Sequence, residues 1–93
     1  MMILWETEAL NDRVRIFEYL YAVNPLAAEK TDAILEAKAE SLLTHPLIGV
    51  QRDGMRGRLL IIPEIGMLMS YWVQGSTIHV IRVLHQKQQF PDV

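Results

Sequence analysis

The sequence predicts an α+β fold with the element order β-α-α-β-β-β, in which two helices pack on one face of a small, mainly antiparallel sheet. Three observations support this prediction. The first half has apolar residues at helical spacing, the second half has three consecutive β-type runs, and the connections between them are short. A chain of 93 residues can form one modest core, so we expect a single domain over residues 1–93.

The first two predicted elements are a short strand and an amphipathic helix. The apolar run MILW at residues 2–5 suits an opening strand, and Thr7 offers an N-cap oxygen for a helix over residues 8–22. The apolar residues of this segment form a stripe at helical spacing: Leu10, Val14, Phe17 and Tyr21, widened by Ile16 and Leu20. Such a stripe is typical of a helix packed on a core.

A second helix is predicted over residues 25–43. Asn24 is a favourable N-cap, and the proline that follows it loses no needed hydrogen bond at the first helical position. The helix is expected to end before Pro46, because the residue before a proline is pushed out of the α region. A loop over residues 46–54 follows, with glycines 49 and 54 as turn positions.

The last third of the chain is predicted to contain three strands, at residues 58–62, 67–73 and 77–85. The segment PEIG separates the first two, and Gln74-Gly75-Ser76 suits a tight hairpin between the last two. Strand side chains alternate between two faces. In the last strand this alternation separates Ile78, Val80, Arg82 and Leu84 from His79, Ile81, Val83 and His85.

All three strands are therefore apolar on both faces, whereas two helices cover only one. We expect a molecule outside this chain to cover the other face. The bulky side chains Trp5, Trp72, Met67 and Met69 are predicted to belong to the core.

Composition excludes several classes of function. The chain has no cysteine, so thiolate chemistry is excluded and zinc could use only histidine or carboxylate ligands. His79 and His85 are six residues apart on one strand, roughly 20 Å at ~3.3 Å per residue, and cannot share a metal. We expect no metal and no cofactor. With no signal peptide and no apolar run long enough to cross a membrane, a cytoplasmic location is expected.

Charge is distributed unevenly between the two halves. Residues 1–45 carry eight acids and four bases, a net charge of −4, and residues 46–93 carry three acids and five bases, a net charge of +2. The predicted sheet is thus the basic half. Five cations are too few to indicate a nucleic-acid-binding protein by charge alone.

The order of these elements, together with several short motifs, resembles the RelE/ParE superfamily of bacterial type II toxins. The motifs are Asn24-Pro25 with Ala27-Ala28, His45-Pro46-Leu47-Ile48-Gly49, Tyr71-Trp72-Val73, and Val80-Ile81-Arg82-Val83-Leu84-His85. The resemblance covers residues 3–91. It implies a plasmid-maintenance type of module, in which an antitoxin wraps and neutralises the toxin. The basic half and the uncovered sheet face favour an acidic antitoxin segment that is helical or partly disordered.

The superfamily is divided in activity, so the resemblance leaves two alternatives. RelE-like members cut messenger RNA in the ribosome, and ParE-like members inhibit DNA gyrase. The nuclease pattern has Lys or Arg on the first of the three consecutive strands and an arginine on the second. Basic or aromatic residues follow the third strand. Arg56 and Arg58 match the first position, as neighbours i and i+2 on one strand face. Met67 and Leu68 stand where the second arginine is expected, and Gln86 stands where the pattern has another arginine.

The incomplete nuclease pattern favours a ParE-like toxin that inhibits gyrase by protein contact, with no catalytic residue. The candidate residues for contact with the target or the antitoxin are Arg56, Arg58, Arg82, His85, Lys87 and Phe90. Arg82 is expected in an ion pair with Glu64 or with an antitoxin acid. The alternative is a ribosome-dependent endoribonuclease that uses Arg56, Arg58 and His85. A toxin-derived binding module without toxicity is a third interpretation.

Overall fold

A computed structural model describes residues 1–87 of the protein. Its elements are β1 (Met2–Trp5), α1 (Thr7–Val23), α2 (Pro25–Ser41), β2 (Val50–Gln51), β3 (Arg58–Ile62), a 3-10 turn (Pro63–Ile65), β4 (Met67–Gln74) and β5 (Thr77–His85). The predicted order of elements is confirmed. The two-residue strand β2, which pairs with the start of β3, lies within the segment predicted to be a loop.

The five strands form one mixed sheet in the order β1-β5-β4-β3-β2. β1 runs parallel to β5, and the three other pairs are antiparallel. The predicted hairpin joins β4 to β5, and Gly75 adopts a positive φ of 60° in its turn. The helical hairpin formed by α1 and α2 leaves the end of β1 and packs on one face of the sheet, as predicted.

The helix ends agree only partly with the predicted caps. The Asn24 side-chain oxygen accepts hydrogen bonds from the backbone N–H groups of Leu26 (3.1 Å) and Ala27 (3.2 Å), which confirms the predicted cap of α2. The predicted cap of α1 is wrong: Thr7 is already helical, and Glu6 occupies the N-cap position without a side-chain cap bond. α2 ends at Ser41, two residues earlier than predicted.

The core lies between the helical hairpin and the sheet. Its buried members include Ala9, Leu35, Ala39, Leu42, Ile62, Met67, Met69, Tyr71, Ile78, Val80 and Val83. The prediction of Met67 and Met69 as core residues is confirmed. Trp5 packs against this core while remaining half-buried. Trp72 was predicted wrongly, because it follows Tyr71 on β4 and projects from the opposite face of the sheet.

The apolar stripe of α1 does not face this core. The helix buries Ala9 and Asp12 and half-buries Ile16, whereas Leu10 and Val14 of the predicted stripe are exposed. Burial of Ala9 brings the helix close to the sheet, and Asp12 is buried because it binds the backbone and side chain of β5. The orientation of α1 is therefore set by packing distance and ion pairing rather than by its apolar stripe.

A β-bulge corrects the predicted faces of β5. Tyr71 pairs with Val80 and Ser70 pairs with Arg82, so Ile81 is an extra residue without a partner on β4. The alternation of side chains is shifted beyond this point. Val83 joins Val80 in the core, and Arg82 lies on the other side, contrary to the prediction that Arg82 shares a face with Val80.

The sheet face opposite the helices is partly apolar and partly exposed. Alternation along β3 and β4 places Leu59, Ile61 and Trp72 on this face. Ile61 is 48% exposed, whereas Leu59 is buried. The predicted uncovered face is therefore real but smaller than the sequence pattern indicated.

Candidate functional site

Arg82, one of the predicted site residues, is bound by a buried carboxylate on α1. β1 ends at Trp5, so the outer edge of β5 beyond Val80 is left to α1. There the Asp12 carboxylate accepts two hydrogen bonds from Arg82, at 2.8 and 3.1 Å, and one at 2.9 Å from the backbone N–H of Val83. Asp12 thus binds a backbone N–H of β5 that has no neighbouring strand to pair with.

This ion pair corrects the predicted partner of Arg82. Glu64, the predicted partner, lies 3.1 Å from Lys38 instead. Arg82 also lies 3.7 Å from Glu8, and Arg15 contacts the Asp12 carboxylate from the solvent side. Burial would raise the pKa of Asp12, but the hydrogen bonds from Arg82 and Val83 outweigh burial, and the net shift is downward. Asp12 is thus ionised at neutral pH, and Arg82 is engaged within the domain.

A groove opens beside this ion pair, between α1 and the ends of β4 and β5. It has a volume of about 350 Å³, and its apolar lining includes Ile16, Met67 and Val83. Arg15 and His85 line the same groove. An apolar floor with basic side chains at the rim suits a protein segment with apolar and acidic side chains.

Arg56 lies on the sheet face opposite the helices. Its guanidinium is stacked 3.6 Å from the centroid of the Trp72 ring. The Trp72 ring in turn stacks on His79, whose Nδ1 lies 2.9 Å from a carboxylate oxygen of Glu6. Arg56 remains exposed above this stack, so it can contact another molecule without rearrangement.

Arg58 has a structural position on the helix side of the sheet. Its guanidinium donates hydrogen bonds to the backbone carbonyls of Leu47 (3.2 Å) and Gly49 (2.9 Å), and fixes the segment that leads into β2. The same segment is held by the Tyr71 hydroxyl, which accepts a hydrogen bond of 2.8 Å from the Gly49 N–H. A Cβ at position 49 would lie 2.7 Å from the Tyr71 ring, so the close approach requires glycine.

The sequence predicted that Arg56 and Arg58 share one strand face. In the structure they do not. The strand begins only at Arg58, and Gly57 between them has a φ of 90°, which interrupts the alternation of side chains. A Cβ on Gly57 would lie 2.3 Å from the Tyr71 carbonyl oxygen, so this conformation is fixed by close packing.

His85 lies at the other end of the sheet. It pairs with Met67 at the start of β4, whereas Arg58 pairs with Tyr71, four residues further along, or about 14 Å at ~3.4 Å per residue. Lys87 follows in an exposed turn, and its backbone N–H points to His85 Nδ1 at 3.5 Å. Phe90 lies outside the described residues. The structure thus does not bring Arg56, Arg58 and His85 together.

Sequence reasoning missed Asp12, the acid that organises the α1 and β5 junction. One signal was present: Asp12 follows Ala9 by three residues and precedes Ile16 by four, which places it on the buried side of the helix. An acid at that position requires a buried partner.

Within residues 1–87, no group of three or more His, Asp or Glu side chains is arranged to hold a metal ion. No helix in the same residues is both long enough and apolar enough to span a membrane.

Comparison with known proteins agrees with this architecture. The family model for the ParE toxin of the type II toxin–antitoxin system parDE matches residues 3–90. Toxin RelE2 of Caulobacter vibrioides is 28% identical over 83 residues, which cover 89% of this chain and 92% of the relative. Toxin RelE1 of the same organism is 30% identical over 89 residues, with 94% and 95% covered.

The fold is shared with a chain of the chromosomal ParDE toxin–antitoxin system from P. aeruginosa. The TM-score is 0.81 at 18% identity, and the match covers 91% of this chain and 95% of the other. The matched family, rather than this structural likeness, establishes the class, and membership in a ParDE-type system implies an antitoxin partner. The chain belongs to the ParE toxin family, within the RelE/ParE superfamily of type II toxin–antitoxin toxins.

Proposed function

We propose that this toxin inhibits DNA gyrase by protein–protein contact in the cytoplasm and has no catalytic centre. The observation that carries the proposal is the separation of the three candidate nuclease residues. Arg56 stacks on Trp72 on one face of the sheet, Arg58 is bound to two carbonyls on the other, and His85 lies about 14 Å along the sheet from Arg58. RNA cleavage needs a base, a cation and an acid at one phosphodiester.

The exposed residues are a subset of the predicted contact residues. Arg82 and Arg58 are half-buried and hydrogen-bonded within the domain, and Arg56, His85 and Lys87 are exposed. We assign Arg56, His85 and Lys87, with Phe90, to the surface that meets the target. The cognate antitoxin is proposed to neutralise the toxin through an acidic segment that enters the groove rimmed by Arg15 and His85.

Single substitutions at the exposed cations test this assignment. Arg56→Ala and Lys87→Ala should each raise the toxin concentration needed for half-inhibition of gyrase supercoiling by about tenfold, as for interface hot spots. Lys30→Ala is the control, because Lys30 is an exposed base on α2, away from the sheet. Equal inhibition by the wild type and the three variants would contradict the assignment.

The second candidate function is ribosome-dependent cleavage of messenger RNA. It is kept because two relatives that match nearly the whole chain are named as RelE toxins. Under this alternative Arg56→Ala, which leaves the hydrogen bonds of Arg58 intact, would abolish cleavage in a translation reaction while the protein remains folded. Primer extension on the message measures the cleavage, and an uncut message with the wild-type toxin would exclude it.

A further inference from the structure

Two arginines of residues 1–87 lie over tryptophan rings, and they differ in what their N–H groups bind. The Arg13 guanidinium lies 4.4 Å from the centroid of the Trp5 ring and is bound to the Asp32 carboxylate at 2.9 Å. The exposed Arg56 guanidinium lies closer to its ring, 3.6 Å from the Trp72 centroid, and forms no hydrogen bond or ion pair with any residue that the structure describes. The first stack belongs to the packing of the domain, whereas the second leaves its N–H donors available to another molecule.

The Trp72 ring is supported by its neighbour on the sheet. Trp72 pairs with His79 across β4 and β5, and the two rings stack with 5.4 Å between their centroids. His79 Nδ1 lies 2.9 Å from a carboxylate oxygen of Glu6, and only 16% of the His79 side chain is exposed. The ring that carries Arg56 is therefore held by contacts from β5 and from the residue that precedes α1.

The backbone next to Arg56 is held against the same strand. Gly57 has a φ of 90°, and a Cβ at this position would lie 2.3 Å from the Tyr71 carbonyl oxygen and 2.8 Å from the Trp72 Cβ atom. The chain thus approaches β4 to a distance that only glycine permits. Both the backbone beside Arg56 and the ring under its guanidinium are fixed by the fold.

Stacking on a ring keeps the guanidinium available in a way that pairing with an acid does not. Glu6 and Glu8 line the same surface pocket as Arg56, but Glu6 is bound to His79, and Glu8 lies 3.7 Å from Arg82. An aromatic face attracts a guanidinium without using its N–H donors. The planar N–H fork of Arg56 can therefore bind both oxygens of a carboxylate.

The charges of the surroundings favour a carboxylate over a nucleic-acid phosphate as the ligand of Arg56. Nucleic-acid backbones are bound by several cations together. Two acids, Glu6 and Glu8, line the pocket beside Arg56, and the whole chain has a net charge of −2. A single carboxylate on a protein surface requires only one cation.

We propose that Trp72 is a positioning residue, which holds the Arg56 guanidinium so that its N–H fork binds a carboxylate on the target protein. This inference rests on the assignment of Arg56 to the target surface under the proposed function. An arginine that is oriented before binding loses less conformational entropy on association than a mobile one. Trp72 thus contributes to affinity through Arg56 rather than through a contact of its own.

A double-mutant cycle with purified full-length toxin tests the positioning in the gyrase supercoiling assay. Trp72→Leu should raise the toxin concentration needed for half-inhibition by about fivefold, and should have no further effect in the Arg56→Ala background. Trp72→Phe keeps an aromatic ring and should inhibit within about twofold of the wild type. An equal loss from Trp72→Leu in both backgrounds would mean a direct or purely structural role, and would overturn the proposal.

Ile61→Ala is the control for this cycle. Ile61 is an exposed apolar residue on the same face of the sheet as Trp72 and lies outside the proposed contact. Its substitution should leave inhibition unchanged in both backgrounds, and circular dichroism should show that every variant is folded. A loss as large as that of Trp72→Leu would show that the whole apolar face is read, and would contradict a specific role for the Trp72 ring.

Arg56→Lys tests the ligand. Lysine keeps the positive charge but not the planar fork, so this variant should inhibit nearly as weakly as Arg56→Ala. Full inhibition by Arg56→Lys would overturn the proposed carboxylate contact. Cleavage of messenger RNA that depends on Arg56 would identify a phosphate as its ligand and would also overturn the proposal.

Growth arrest separates this inference from the proposed function. The same variants are expressed without antitoxin, and the inducer concentration that arrests growth is measured. If the wild type leaves gyrase active and the message intact, but the cycle is non-additive for growth arrest, the gyrase assignment fails and the positioning by Trp72 stands. If gyrase is inhibited and the cycle is additive, the positioning fails and the proposed function stands. Arg56→Ala as active as the wild type in both assays would overturn the positioning.

Discussion

Asp12 connects the helical hairpin to the sheet through a single buried carboxylate. The residue is 3% exposed and accepts hydrogen bonds from Arg82 and from the Val83 backbone, while Arg15 approaches it from solvent. Removal of its charge would leave the Arg82 guanidinium without its principal partner. At the residue scale, this carboxylate links α1 to the edge of β5.

Asp12→Asn should therefore destabilise the protein by about 3 kcal/mol, within the range for a broken buried ion pair and reduced by the partial exposure of Arg82. Urea unfolding at neutral pH measures the change. Asp53→Asn is the control, because Asp53 is an exposed acid in the loop before β3. A loss of stability no larger than that of the control would show that the pair is dispensable.

The same carboxylate predicts a dependence of stability on pH. The pKa of Asp12 in the folded protein lies below its ordinary value, because the hydrogen bonds from Arg82 and Val83 outweigh burial. Its contribution is fully present above the unfolded pKa of about 3.9 and is lost as the pH falls through the lower folded pKa. The stability difference between the wild type and Asp12→Asn should shrink as the pH is lowered from 6 to about 3. A difference that stays constant over this range would refute the assignment.

Tyr71 provides a second test at the scale of one residue. Its buried hydroxyl accepts the Gly49 N–H hydrogen bond and thereby holds the segment before β2. Tyr71→Phe would leave this buried N–H without its partner and should cost about 1–3 kcal/mol. Tyr19→Phe, at an exposed tyrosine, should change the urea midpoint little. Equal effects of the two substitutions would contradict a role for the hydroxyl.

At the scale of the element, α2 depends on a cap that the sequence shows directly. The Asn24 side chain satisfies two N–H groups of the first turn. Asn24→Ala should lower the free energy of unfolding by about 1 kcal/mol. Asn11→Ala is the matched control, because Asn11 is exposed within α1 and alanine favours a helix at such a position. If thermal unfolding shows no greater loss for Asn24→Ala, the cap does not stabilise α2.

Elements with a local cause could be predicted, and those with a tertiary cause could not. The Asn24 cap and the Gly75 hairpin are set by neighbouring residues, so the sequence pattern was sufficient. The bulge at Ile81 has a tertiary context. Up to Val80 the edge of β5 pairs with β1, and at Val83 the same edge is bound by Asp12 of α1. Alternation alone therefore placed Arg82 on the wrong side.

The orientation of α1 was mispredicted for a related reason. Apolar periodicity identifies an amphipathic helix, but it does not show whether the stripe packs within the domain or against another protein. In α1 the side that contacts the sheet contains Ala9 and Asp12, a small residue and an acid, whereas Leu10, Val14 and Tyr21 of the apolar stripe are exposed. The relative position of Arg56 and Arg58 was also mispredicted. The positive φ of Gly57 between them interrupts the alternation of side chains.

At the scale of the whole molecule, the exposed basic side chains lie in two separate regions. Arg56 lies on the sheet face opposite the helices, and His85 and Lys87 lie at the end of β5. This separation disfavours one compact catalytic centre built from Arg56, Arg58 and His85.

A gyrase supercoiling and cleavage assay, run beside a coupled translation reaction with primer extension on the message, tests the central claim most directly. We predict that the wild-type toxin abolishes supercoiling, or traps cleaved DNA, and leaves the message intact. Cut message together with normal gyrase activity would contradict the account, and would mean that Arg56, Arg58 and His85 act on RNA despite their separation.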